Sequence, residues 1–223
     1  MKTSDVLTNH FISCMEKQKD YWDIKSTELR FVYANKVAFD ISCLPMNFDI
    51  EGRLASECPI SWSEYADTID SHEQIVHQYG KSIFSIITYI TGTEKTLQTL
   101  FTKTIPHYNQ NKVAGTICHA RKIPPVLLSK CFFKNPTASS FLTNHPPNDL
   151  FTTEELNVLF FAIKLFINKE IALMLGTYFC VVEQIIRQIG NKIDIHSRRQ
   201  LRDYGIAEGF DNYFPSFLLK GLL

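Results

Sequence analysis

Apolar and polar positions are spaced differently along the two halves of this chain, and the spacing predicts strands in the first half and helices in the second. Residues 5–19 carry apolar side chains at near-helical intervals, which predicts a short amphipathic helix. Two short runs rich in aromatic and β-branched residues, 21–24 and 29–34, predict strands. Residues 35–59 are broken by prolines and a glycine, so we expect only short helices and loops there.

The next segment predicts a long helix followed by three strands. The helix covers residues 62–79, since Ser61 or Ser63 can cap its start and Gly80 can end it. The strand-like runs after it are joined by hairpin connections and cover 82–91, 96–105 and 112–120. This order of elements indicates an α+β domain with a five-stranded antiparallel sheet.

A proline-rich stretch separates this domain from a helical one. Five prolines fall within residues 121–150, which predicts a linker with one short helix around 126–133. Residues 151–205 have helical spacing, with breaks near Phe166 and Gly176. We therefore predict four segments: an N-terminal helix (1–19), an α+β domain (20–120), a linker (121–150) and an all-α domain with a C-terminal extension (151–223).

The helical segment carries a motif set that resembles a known family. Residues 151–201 align without a gap to the LuxR-type helix-turn-helix pattern, and the tail 207–222 resembles the extension of PAS-containing members. The matching positions are Thr152, Glu155, Val158, Leu159, the block Asn168 to Ala172, Leu175, Gly176, Val182, Glu183, Lys192, Ser197, Arg198, Gln200 and Leu201. The resemblance implies a bacterial transcription regulator that binds double-stranded DNA.

The residues after Gly176 fit a recognition helix in the major groove. Glycine allows a tight turn before this helix, which we expect at about 180–192. Its apolar positions, Val182, Ile186 and Ile189, would face the core. Its outward positions, Glu183, Gln184 and Arg187, would face base edges. The candidates for phosphate contacts are Lys169, Lys192, Arg198, Arg199 and Arg202.

Several positions depart from the LuxR-type pattern. Leu165 stands where the family usually has glycine, and Ile167 and Val181 stand where it usually has hydroxyl residues that would contact phosphate. Ile185 replaces a residue that is often His or Tyr. These changes are compatible with a helical fold, but they favour a second hypothesis. In that hypothesis the helix-turn-helix is degenerate and serves dimerisation or protein interaction, through Phe179, Ile185 and neighbouring apolar residues.

The N-terminal order of elements resembles a PAS domain over about residues 20–120. Tyr33-Ala34-Asn35 resembles the end of the second PAS strand, and Gly80 precedes the third. PAS domains commonly enclose a ligand between the sheet and the long helix, so the resemblance implies a sensor of a small molecule or signal. The candidate lining residues are Phe31, Tyr33, Phe39, Tyr65, Ile69, Tyr89 and Phe101. The alternative is that these side chains simply form the core.

Composition and motifs limit which other classes of function the chain can have. Lys and Arg total 23, as do Asp and Glu, so no overall positive field indicates nucleic acid. The six cysteines form no C-x-x-C pair, which argues against a zinc module and suggests reduced thiols in the cytoplasm. No signal peptide or transmembrane stretch is expected. The sequence contains no catalytic motif, so we expect no enzyme, and it identifies no cofactor.

We also predict a homodimer. DNA readers of this type pair on two half-sites, and the helix at 5–19 has an apolar face with little of its own domain to cover it.

Overall fold

A computed structural model describes residues 3–91, 96–124 and 140–221. The chain forms two compact units, residues 1–141 and 142–223. The N-terminal unit is α+β and the C-terminal unit is helical, as predicted. The predicted short helix at 126–133 lies outside the described residues.

The described residues of the N-terminal unit form three helices and a sheet. The helices are α1 (Thr3–Glu16), α2 (Lys36–Ser42) and α3 (Ala66–Tyr79), and short 3-10 turns cover Ala55–Glu57 and Ser63–Tyr65. The strands are β1 (Tyr21–Ser26), β2 (Phe31–Ala34), β3 (Ile83–Thr91), β4 (Thr96–Asn109), β5 (Lys112–Lys122) and β6 (Ser140–Thr143). Gly80 ends α3 in a left-handed conformation, but the expected Ser caps are absent, because Tyr65 of the 3-10 turn precedes the helix and no side chain caps it.

The sheet order is β2-β1-β5-β4-β3-β6, and the pairs among the first five strands are antiparallel. The five predicted strands are therefore present, and β6 adds a sixth within the predicted linker. The β4–β5 hairpin is longer than predicted, since its turn uses only Gln110 and Asn111, both at positive φ. That backbone is the type I′ turn preferred in two-residue hairpins. Pro106 lies within β4, beyond Thr104, the last residue of β4 that pairs with β3.

One face of the sheet packs against α2, α3 and the 3-10 turns. The core there contains Phe31, Ile41, Trp62, Tyr89 and Leu100. Its polar groups are paired, since Trp62 Nε1 donates to Ser42 Oγ at 3.1 Å and Tyr89 donates to the Ile41 carbonyl at 3.2 Å. This arrangement holds α3 over the middle of the sheet.

Asn35 joins three elements. Its Oδ1 accepts from the backbone N–H groups of Trp22 (3.1 Å) and Ala38 (2.9 Å), and its Nδ2 donates to the carbonyls of Met15 and Asp20. The side chain thus caps α2 and connects it to the end of α1 and the start of β1.

The C-terminal unit is built around a buried central helix. Its helices are α4 (Thr153–Ile163), α5 (Asn168–Leu175), α6 (Phe179–Ile193) and α7 (Arg198–Ala207), followed by 3-10 turns at Phe210–Asn212 and Ser216–Gly221. Thr152 and Glu155 form a capping box that starts α4, and every residue from Val158 to Ile163 is buried. The extension packs onto this unit through Phe210, Tyr213 and Phe214, which are buried.

Candidate functional sites

The N-terminal unit contains a small cavity between α3 and the sheet, with both apolar and charged residues in its wall. Its volume is about 40 Å³. Strand residues that point toward α3 form most of its wall, and α3 and Phe141 complete it. The lining residues include Tyr21, Asp23, Lys25, Ile69, His72, Glu73, Ser85, Ile87, Leu100, Thr102, Thr104, Cys118 and Phe141.

A buried group of charged side chains occupies one wall of this cavity. Lys25 is 1% exposed, and its Nζ lies 3.1 Å from Glu73 Oε1 and 3.5 Å from Asp70 Oδ1. Asp23, also buried, accepts a 2.6 Å hydrogen bond from the Tyr21 hydroxyl through Oδ2. Ion pairs with so little solvent are costly to assemble, which indicates a role beyond packing for these residues.

The environment shifts the pKa values of Asp23, Lys25 and Glu73. Burial raises the pKa of Glu73 to about 7, and it raises the pKa of Asp23, although Lys25 opposes both shifts. Burial alone would lower the pKa of Lys25, but the charges of Glu73, Asp23 and Asp70 outweigh it and keep the ammonium protonated. Lys25 therefore stays charged, and Glu73 holds its proton to a higher pH than an exposed glutamate does.

Two carboxylate oxygens in this group have no hydrogen-bond partner among the described residues. They are Asp23 Oδ1 and Glu73 Oε2, and both residues line the cavity. A buried oxygen without a partner carries a desolvation cost that a donor from a bound molecule would remove.

The predicted ligand residues divide into three sets. Ile69 lines the cavity. Four others, Phe31, Phe39, Tyr65 and Tyr89, lie in or against the core on the same side of the sheet. The remaining two, Tyr33 and Phe101, are directed elsewhere.

Tyr33 is separated from Phe31 by an irregularity in the sheet. The β1–β2 register shifts between Ile24 and Lys25, so Phe31 pairs with Lys25 while Tyr33 pairs with Ile24. Phe31 therefore shares the inner face with Lys25, and the Tyr33 hydroxyl donates to Glu16 of α1 at 2.7 Å.

Phe101 lies on the opposite face of β4 from the cavity. Leu100 and Thr102, its neighbours in the strand, are the residues that line the cavity. Phe101 instead stacks on Phe84 with ring centres 5.8 Å apart, and the Arg121 guanidinium lies 5.6 Å from its ring centre.

The C-terminal unit presents the second candidate site, on α6. Gly176 ends α5 with φ 61°, and α6 begins three residues later. Val182 and Ile189 are fully buried and Ile186 is partly buried, which agrees with the predicted inner face. Glu183, Gln184 and Arg187 are exposed on α6, as are Lys169 on α5 and Arg199 on α7.

Two of the predicted phosphate contacts have partners inside the unit. Lys192 Nζ donates to Glu155 Oε2 at 2.7 Å and to the Leu150 carbonyl at 3.2 Å. Arg198 Nη2 donates to the Phe166 carbonyl at 2.7 Å and to Asn168 Oδ1 at 2.8 Å. Both cations therefore connect elements within the unit, and their contact with DNA stays a prediction.

The same unit exposes several large apolar side chains around α5 and the start of α6. Leu173 is 81% exposed and Tyr178 is 78% exposed, and Ile167, Met174, Phe179 and Val181 are exposed as well. Such a concentration of apolar surface is unusual on a folded domain and is typical of an interaction surface.

The described ranges contain neither a metal-binding cluster nor a membrane-spanning helix. These residues contain no group of three or more His, Cys, Asp or Glu side chains placed to hold a metal ion. No helix within them is long and apolar enough to cross a membrane.

Sequence comparison finds no protein-family model and no curated protein that matches this chain. Solved structures do match over nearly its whole length. The dimer of VqmA from Vibrio cholerae, described without its target DNA as a LuxR-type receptor, is 20% identical, with 99% of this chain and 94% of that chain covered and a TM-score of 0.51. Phage VqmA in complex with DPO is 23% identical, with 98% and 96% covered and a TM-score of 0.51. The chain therefore has the fold of a LuxR-type receptor, in which a PAS-like domain precedes a helix-turn-helix domain.

Proposed function

We propose that this protein is a DNA-binding transcription regulator in which the PAS-like unit binds a small molecule and the helix-turn-helix unit binds promoter DNA. The proposal rests on the position and the exposed surface of α6. This helix follows a glycine turn after α5, buries Val182 and Ile189, and exposes polar side chains between Glu183 and Lys192. A recognition helix needs this combination of a fixed inner face and a free outer face.

The chemistry of the exposed face suits base recognition. Arg187 can donate two hydrogen bonds to guanine, Gln184 can pair with adenine, and Glu183 can accept from the cytosine amino group. Lys169 and Arg199 are exposed and charged, so they are the proposed phosphate contacts. The proposed reader is thus α6, positioned by cations on the helices before and after it.

The structural neighbours support both halves of the proposal. The V. cholerae protein has a target DNA, and the phage protein forms a complex with the small molecule DPO. By analogy, this chain would bind DNA through its C-terminal unit and a small molecule through the cavity beside Lys25 and Glu73. The proposed domains are residues 20–120 and 151–223, after the helical segment 1–19 and joined by 121–150.

We further propose that two copies act together on DNA in a bacterial cytoplasm. The V. cholerae neighbour is described as a dimer. A symmetric dimer places two recognition helices on half-sites about 10 base pairs apart, so the binding site should have two related halves.

The test is selection of DNA from a randomised library by the full chain, followed by affinity measurement. We expect a two-part site, and Arg187→Ala should weaken binding to it by about 1–3 kcal/mol while relaxing preference at one base pair. Lys81→Ala is the matched control, because it removes one exposed cation from the other unit. Failure to enrich any sequence, together with no salt-dependent binding to random DNA, would refute the proposal.

The exposed apolar side chains favour a second candidate function, in which the degenerate helix-turn-helix is a dimerisation or protein-interaction module. Leu173 and Tyr178 would then form a contact surface. Under this hypothesis Leu173→Ser with Tyr178→Ser abolishes self-association in sedimentation, and no DNA is selected. Under the DNA-binding hypothesis a sequence is selected, and Gln184→Ala changes its base preference.

A further inference from the structure

The cavity of the N-terminal unit has an unbalanced set of charges. One cation, Lys25, faces three carboxylates, those of Asp23, Asp70 and Glu73. Lys25 is within 3.5 Å of two of these carboxylates, so its donors are directed at groups of the protein itself. Asp23 and Glu73 line the cavity and Asp70 does not, so the charged part of its wall holds two carboxyl groups and one ammonium group that is already engaged by the protein.

Two carboxyl oxygens without a partner show where a bound donor group could lie. Asp23 Oδ1 and Glu73 Oε2 have no donor among the described residues, and their side chains are 3% and 2% exposed. They belong to opposite sides of the cavity, one on β1 and the other on α3. A single group that carries two or more N–H donors could satisfy both oxygens at once.

We propose that the cavity recognises small molecules with a cationic N–H group, such as an amidine, a guanidine or a primary amine, bound between Asp23 and Glu73. This inference rests on the proposed function, because it names the ligand class of the sensing cavity. The cationic group donates to Asp23 Oδ1 and Glu73 Oε2, and its charge offsets the excess of carboxylates.

Other ligand classes fit the cavity less well. An anion would face the carboxyl groups of Asp23 and Glu73, and its natural partner, Lys25, is already engaged by Asp70 and Glu73. A neutral amide could donate one or two hydrogen bonds but would leave the charge excess in place. The cavity volume of about 40 Å³ also selects a compact group.

Binding of such a cation should be coupled to the protonation of Glu73. The titratable groups around Glu73 are Lys25, Asp23 and Tyr21 on β1, Asp70 and His72 on α3, and Cys118 on β5. A bound cation lowers the pKa of Glu73 from about 7, so the carboxyl group releases a proton on binding. Affinity should therefore rise between pH 6 and pH 8.

The experiment uses three probes of nearly identical shape, acetamidinium, acetamide and acetate, which carry charges of +1, 0 and −1. Calorimetric titration of the full chain should give the affinity order acetamidinium, acetamide, acetate, with about tenfold or more between the first and the last. The probes are small, so affinities on the order of millimolar are expected. Proton release is measured by repeating the acetamidinium titration in buffers of different ionisation enthalpy.

Variants locate the binding site. Glu73→Gln and Asp23→Asn should each weaken acetamidinium binding about tenfold or more, and Glu73→Gln should also remove the proton release. Asp67→Asn, an exposed position on the same helix α3, is the matched control and should change neither quantity. Circular dichroism establishes that each variant is folded. If one cavity variant does not fold, the other still tests the binding site.

Three outcomes would overturn the inference: acetate binding as tightly as acetamidinium, no binding of any probe, or acetamidinium binding that is unchanged in both folded cavity variants. The proposed function is tested by a different result, the selection of DNA by the full chain. If acetamidinium binds as described while the full chain selects no DNA, the ligand class stands and the regulator does not. If DNA is selected but no cationic probe binds, the regulator stands and the ligand class is wrong.

Discussion

At the scale of single residues, Glu73 links burial to protonation. Its carboxyl group is almost without solvent, and the 3.1 Å contact with Lys25 only partly offsets the cost of burying a charge. Burial raises the pKa of Glu73 from an ordinary value of 4.5 to about 7. The folded protein consequently binds more protons than the unfolded chain in this interval.

This difference sets the sign of a stability change with pH. Because the folded state holds the extra proton, the free energy of unfolding should fall as pH rises from about 4.5 to about 7, by at most about 1.4 kcal/mol per pH unit. Asp23, whose pKa is also raised by burial, acts in the same direction. Thermal unfolding of the full chain across this range measures the slope. Glu73→Gln should flatten it, whereas Glu64→Gln, an exposed change in the turn before α3, should not; an unchanged slope in Glu73→Gln contradicts the assignment.

Lys192 provides a second prediction at this scale. It neutralises Glu155, which is buried and also starts α4 by accepting from the Thr152 N–H at 2.7 Å. Although burial raises the pKa of Glu155, the hydrogen bonds from Lys192 and Thr152 prevail and lower it. Lys192→Ala leaves this carboxylate without its cation and should cost about 1–3 kcal/mol of unfolding free energy.

Urea unfolding checks this cost. Arg187→Ala is the control, since it removes an exposed cation from the same helix. Equal stability of the two variants would show that the Lys192–Glu155 pair contributes nothing to the fold.

The charged cavity could not be predicted from the sequence. Alternation in β1 shows that Tyr21, Asp23 and Lys25 share one face, but ordinary patterning would place Trp22 and Ile24 in the core instead. The structure buries the charged set because Glu73, from a helix more than forty residues later, lies opposite Lys25. Only that long-range pairing reveals which face is inside.

At the scale of elements, the predictable features were those with local causes. The helices of the C-terminal unit, the end of α3 at Gly80 and the five PAS-like strands follow from periodicity and end signals, and all are present. The register shift at Ile24/Lys25 depends on pairing between strands, so the sequence did not indicate that Phe31 and Tyr33 face opposite sides. The predicted ligand set included Tyr33 for that reason.

Two helix ends in the C-terminal unit use the same turn with different residues. After α5, Gly176 has φ 61°, and the N–H of Thr177 donates to the Ala172 carbonyl. After α4, Leu165 has φ 68°, and the N–H of Phe166 donates to the Phe161 carbonyl. Both are Schellman motifs, which favour glycine at the left-handed position. The departure of Leu165 from the family pattern thus places a strained residue in this turn.

Exchanging the residue types tests this strain. Leu165→Gly should raise the free energy of unfolding by about 1 kcal/mol, because glycine adopts positive φ without a steric penalty and Leu165 is 64% exposed. Gly176→Ala should lower it by about the same amount, since no atom lies within 4 Å of the added carbon and only the backbone penalty applies. Urea unfolding measures both, and a loss of stability in Leu165→Gly would show that the Leu165 side chain contributes more through contacts than its backbone costs.

At the scale of the whole molecule, the charge available for DNA is small. Basic and acidic residues balance at 23 each, so attraction to DNA must come from local cations. Of the cations in the C-terminal unit, Lys192 and Arg198 are engaged internally. Lys169, Arg187, Arg199 and Arg202 are exposed. Four contacts per chain limit the salt dependence of the proposed complex.

The affinity of the proposed DNA complex should therefore depend only weakly on salt concentration, and each exposed cation should contribute a separate part of that dependence. Four neutralised phosphates per chain give a slope of log affinity against log salt of at most about −3.6 per chain, or about −7 for two chains. Lys169→Ala should reduce the magnitude of the slope by about one per chain. Lys192→Ala, measured well below its unfolding temperature, should leave the slope unchanged, because its ammonium lies 2.7 Å from Glu155 and has no phosphate to neutralise. Filter binding to the selected site over a salt series compares the two variants, which remove the same charge from neighbouring helices. A reduced slope in Lys192→Ala would mean that this side chain leaves Glu155 for the DNA backbone, and the candidate surface on α6 would then extend to its C-terminal end.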